Sequence, residues 1–89
     1  MIRSREAAVT FRRPFVLTAV DRELPAGTYR LSIDEECIEE LSFPVYRRIT
    51  TMIHFGNRST IEMWTIDHNE LEKALERDGG HNQIVYQRT

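Results

Sequence analysis

A chain of 89 residues has length for one core rather than two, and at that size only a little over ~60% of the unfolded surface becomes buried, so association would relieve a thin margin. Its hydrophobic fraction of 40% and charged fraction of 29% exclude the disordered class, and no run approaches the ~18 apolar residues of a membrane span. The formal charge of −2 removes the basic footprint of most nucleic-acid binders.

The stretch from Met1 to Ala8 holds charges but no apolar targeting segment, which predicts a cytoplasmic protein. A lone cysteine, Cys37, has no internal disulfide partner and fits a reducing compartment. There is no repeat, low-complexity stretch or Pro/Gly/Ser linker. Residues 8–80 therefore read as one α+β domain, with residues 1–7 expected to fray and residues 81–89 forming a tail or an edge strand.

From Val9 the chain alternates, with Val9, Phe11, Phe15 and Leu17 on one side, the signature of a strand. Arg13 breaks the apolar side, and Pro14 cannot donate to a ladder, which predicts a bulge turning Arg13 outward. Leu24-Pro-Ala-Gly27 is turn chemistry. Thr28 to Asp34 alternates again, with Tyr29, Leu31 and Ile33 facing the core. Glu35 to Ser42 fits either a short strand or a turn.

Phe43-Pro44 favours extended backbone, and Tyr46 to Phe55 is rich in β-branched and aromatic residues, which predicts a long strand. Gly56 to Ser59 marks a turn, and Thr60 to Ile66 is the returning strand, with Trp64 expected against a helix. Asp67 and Glu70 form a variant capping box with Ile66 and Leu71 as the staple. Leu71, Ala74 and Leu75 then define one helical face, and Gly79-Gly80 ends the helix. The expected fold is a curved antiparallel sheet, or a small barrel-like roll, of about four to five strands with one C-terminal helix.

The stretch Leu24-Pro-Ala-Gly-Thr-Tyr-Arg-Leu-Ser-Ile-Asp34, with Leu41-Ser-Phe43 and Tyr46-Arg-Arg48, resembles a family of small alphaproteobacterial proteins with no assigned activity. The likeness covers roughly residues 9 to 78. It implies a bacterial origin and a single domain, and it transfers no catalytic residue.

Charge is segregated along the chain. Residues 1–30 carry an excess of +3, residues 31–45 carry −5 and residues 46–60 return to +3. Such blocks are suited to pairing across strands. The residues best suited to ligand recognition are Arg12, Arg13, Arg47 and Arg48, whose guanidinium forks match phosphate or carboxylate, with Tyr46 or Trp64 as a stacking face. Adjacent strand residues point to opposite faces, so each pair offers one arginine per face unless a bulge intervenes. The plainer role of these arginines is pairing with Glu35, Glu36, Glu39 and Glu40.

Nucleophilic catalysis would need Cys37 beside His54, His68 or His81, and no motif brings them together. A metal site from Cys37, His54, Asp67 and His68 lacks ligand spacing. No cofactor, metal or enzymatic role is therefore expected. The expected role is a noncatalytic protein-interaction or structural module, with an unspecified protein partner or a second copy. The alternative is an anion- or nucleic-acid-binding module using surface arginines, although generic nucleic-acid binding and membrane association are not expected.

Overall fold

The computed structural model describes residues 1–38, 43, 45–56, 59–79 and 84–87. The readings made for Glu39 to Ser42, Pro44, Asn57-Arg58, Gly80 and His81 lie outside these residues. In chain order the elements are β1 (Ile2–Phe11), β2 (Gly27–Ile38), β3 (Val45–Gly56), β4 (Ile61–Ile66), α1 (His68–Arg77) and β5 (Val85–Tyr86).

All neighbouring strands pair antiparallel in the order β4-β3-β2-β1-β5. The sheet is open, so the fold is α+β with a curved antiparallel sheet rather than a closed roll. No helix among the described residues is long and apolar enough to cross a membrane.

Alternation in β2 works as its sequence predicts. Tyr29, Leu31 and Ile33 are buried, while Arg30, Ser32 and Asp34 lie on the other face. Ala7, Val9 and Phe11 from β1, Ile53 from β3, Ile66 from β4, Leu71, Ala74 and Leu75 from α1, and Phe15, Leu17, Val20 and Leu24 from the segment between β1 and β2 join them in this core. Burying each large apolar side chain contributes about 1.5–3 kcal/mol. The helix and the segment between β1 and β2 cover one face of the sheet; the other face carries cross-strand polar pairs instead. These include Ser4 Oγ donating to Asp34 at 2.6 Å, Arg30 donating to Glu6 at 2.8 Å, and a Thr10–Thr28 hydroxyl pair at 2.9 Å.

Three expectations are corrected. Residues 1–7 do not fray, because β1 starts at Ile2 and pairs with β2 from Ile2↔Glu36 to Phe11↔Gly27. Their polar alternation finds its partners in the acidic part of β2. The second correction concerns the strand from Val9, which stops at Phe11 instead of running through a bulge at Arg13. The Asp78 carboxylate takes the amides of Arg12 and Arg13, at 2.7 and 2.9 Å, and Pro14 has no amide to offer. Phe15 and Leu17 remain buried from this irregular segment. Phe15 stacks on Phe11 at 3.6 Å between ring centroids and bridges back to Leu24.

The third correction is the capping box, of which only half forms. Asp67 Oδ1 accepts from the amides of Asn69 and Glu70, at 2.8 and 3.1 Å, as expected of an N-cap. The Glu70 carboxylate accepts from the Thr18 amide instead of returning to Asp67. This contact ties the first turn of α1 to the β1–β2 segment. The helix ends at Arg77 with Asp78 as its C-cap, followed by Gly79 at φ +131°. Ile84 to Tyr86 resolves as an edge, with Val85 and Tyr86 pairing Ala8 and Ala7.

Candidate functional site

Two regions of the sheet can meet a partner: the charged end where β1 starts, and the outer edge formed by β4. The charged end is shaped by a bulge in β3. Asp34 pairs with Thr50 but Glu35 pairs with Arg48, which leaves Ile49 without a partner in register. Arg48 consequently shares the helix-side face with Glu35, whereas Arg47 pairs with Glu36 on the opposite face. Arg3 and Arg5 join Arg48 on the helix side, four and two residues before buried Ala7.

Glu35, 9% exposed, is the centre of this end. Arg3 Nε donates to its Oε1 at 2.9 Å, and Arg5 Nη1 lies 3.8 Å from the same oxygen. Aromatic rings flank both cations, with the Arg3 guanidinium 3.3 Å from the Tyr46 ring centroid and that of Arg5 4.1 Å from Tyr86. Arg47 donates to Glu36 at 2.7 Å. The charge blocks of the sequence therefore satisfy one another across strands. Arg48 makes no ion pair among the described residues. It borders a recess of about 290 Å³ together with Thr51, Ile66, His68 and Asn69.

In that recess His68 Nδ1 meets the Thr51 hydroxyl at 3.0 Å and Nε2 meets Glu72 at 3.1 Å. Burial, followed by the positive charge of Arg48, holds the imidazole below its ordinary pKa, and the opposing pull of Glu72 does not compensate.

The ligand residues expected from sequence do not converge. Arg12 and Arg13 follow the far end of β1, ten positions from the Ile2↔Glu36↔Arg47 row, which at ~3.3 Å per residue is about 30 Å. Arg13 is engaged by Asp78 and by the Arg77 carbonyl. Tyr46 does sit beside the Arg3 guanidinium. Trp64 lies over Phe55 instead, ring centroids 6.4 Å apart, with its indole donating to Glu62 at 3.3 Å. Arg3 and Arg5 were missed because their segment reads as a frayed end; the available signal was Arg-Ser-Arg-Glu matching the acids Asp34-Glu35-Glu36.

The nucleophile candidates are also apart. Cys37 pairs with Tyr46 at one end of the sheet, while His54 pairs with Arg30 and bonds Ser32 on the uncovered face. His68 is held by Thr51 and Glu72. No group of three or more metal-ligating side chains occurs among the described residues.

The β4 edge differs in kind. Ile61 and Met63, 71% and 53% exposed, point to the uncovered face beside half-buried Met52. Its one charged residue, Glu62, is held by Arg22 at 3.1 and 3.3 Å. Nothing among the described residues pairs with its outer side.

Comparison with family models, with curated proteins and with solved structures found no match to this chain.

Proposed function

We propose that the protein is a noncatalytic interaction module that docks a protein partner along the outer edge of β4. The observation carrying this reading is that nothing among the described residues pairs with this edge. Strands exposed in this way present unpaired N–H and C=O groups, and proteins ordinarily blunt them with lysine, proline, bulges or a covering element. β4 contains neither lysine nor proline, pairs with β3 without a register shift, and exposes Ile61 and Met63. Main-chain pairing along such an edge gives affinity, and alternate side chains give selectivity.

A photo-crosslinking residue placed at Met63 in the native cell tests this. Adducts are expected from position 63 and not from Val16, which is 55% exposed on the β1–β2 segment. Absence of adducts at 63, or equal labelling at both positions, would overturn the reading.

A second reading, anion recognition, is favoured by the charge at the start of β1, where Arg3, Arg5 and Arg48 share a face with the Glu35 carboxylate. Arg48→Ala is expected to abolish low-salt binding of inorganic pyrophosphate or a short RNA under this reading. Undiminished binding in that variant would end it.

A further inference from the structure

We infer that the partner of the β4 edge is a second copy of the same chain, joined antiparallel with the two-fold axis level with Met63 and midway between that residue and its copy. This rests on the edge-docking reading and specifies its occupant. Only an axis perpendicular to the sheet carries β4 onto the open side of another β4 while reversing its direction. Residues directly opposite in a sheet point to the same face, so such an axis must fall on a residue and not between two.

Few registers remain. An axis on Glu62 would set two carboxylates face to face, which like-charge repulsion disfavours. An axis on Trp64 would bring Ile61 opposite the helix cap Asp67, beyond the end of the strand. With the axis on Met63, Met63 meets its own copy, Ile61 meets Thr65 and Glu62 meets Trp64. No like charges are opposed, and Glu62 keeps its ion pair with Arg22. The exposed Ile61 and Met63 side chains of both copies then form one apolar strip on the uncovered face, with both helices on the other side of a continuous sheet.

The other free edge argues for this choice. The outer side of β1 is covered by β5 at Ala7 and Ala8, extended by Gln87 N–H donating to the Glu6 carbonyl at 2.8 Å, and its remaining length carries Arg3 and Arg5. Charges of that kind are edge guards. The two edges are not equivalent, and the unguarded one is self-complementary.

The test uses the full chain with Cys37→Ser to remove the native thiol, adding either Met63→Cys or Ile61→Cys. In the inferred register the two Met63 Cα atoms are about 4.5–5.5 Å apart, within disulfide range, whereas the Ile61 positions are separated by about 14 Å. Mild oxidation is expected to link copies through position 63 and not through 61. Light scattering on the unmodified chain is expected to show mass rising from monomer to dimer between low micromolar and about 1 mM, since a single strand pair is a small interface. Met63→Lys is expected to remain monomeric while keeping its circular dichroism spectrum. A monomeric mass throughout, or linkage at 61 equal to that at 63, would overturn the inference. A monomer whose position-63 photo-adduct contains a different protein would sink the dimer and leave edge docking standing, while a monomer with no adduct would sink both.

Discussion

The backbone amide of Arg12 donates to the Asp78 carboxylate at 2.7 Å across 66 positions of sequence. The other oxygen takes the Arg13 amide, so one side chain ends β1 and fastens the end of α1 to it. Asp78 is 6% exposed. Asp78→Ala leaves two amides without their acceptor, and a loss of about 2–4 kcal/mol is expected in urea denaturation. Asp78→Asn keeps one acceptor oxygen and should cost roughly half as much.

Glu35 is expected to couple to Arg3 by about 1 kcal/mol or less in a double-mutant cycle, because the carboxylate is buried but the guanidinium is partly solvated. Added salt should reduce that coupling. Glu35→Ala should cost more than Arg3→Ala, since it also removes the acid facing Arg5.

His68 gives stability a pH dependence of determined sign. Its folded pKa lies below the ordinary value of 6.5 through burial and Arg48, so between the two pKa values the unfolded chain binds more protons than the folded one. Its contribution is therefore complete above about pH 6.5 and is lost as pH falls from there toward the folded pKa. Urea midpoints across this range should decline more steeply for the unmodified protein than for His68→Gln. Equal slopes would show that His68 is not the group responsible.

Gly56 and Gly27 should respond unequally to alanine. At Gly56, φ is +145° and an added Cβ would run into the Thr60 carbonyl oxygen and approach Ile61 Cα at 3.0 Å. Gly56→Ala is expected to cost about 2–4 kcal/mol by displacing Thr60 and Ile61 from the end of β3. Gly27, at φ +152°, has nothing within 4 Å of the added atom, so only backbone strain of about 1 kcal/mol is expected. Thermal unfolding of the two variants compares them directly.

The parts of this fold legible in sequence are those governed by neighbours. Thr28 to Asp34 could be assigned because burial follows its alternation, and Asp67 because a cap and its amides lie within one turn. The end of β1 could not, because the group that stops it is Asp78, brought there only by folding. Arg3 to Glu6 is polar on both faces and gives no burial signal; its strand conformation comes from pairing with Ser32 to Glu35. The bulge at Ile49 has no local mark and decides which face Arg48 occupies. For the candidate sites, composition pointed to mutual neutralisation of the charge blocks, which Arg3–Glu35 and Arg47–Glu36 display. It could not show that the two arginine pairs occupy opposite ends.

The pairing of Ala7 and Ala8 with Tyr86 and Val85 makes assembly order unequal across the sheet. β1, β2, β3 and β4 are joined in sequence to their spatial neighbours, so each pairing closes a modest loop. β5 must close a loop spanning nearly the whole chain to gain a two-residue ladder, a poor exchange of chain entropy for contacts. It should dock last and detach first, with amide exchange at Tyr86 outpacing that of Ile53. Each detachment uncovers the middle of β1, so this margin of the sheet opens and closes in time.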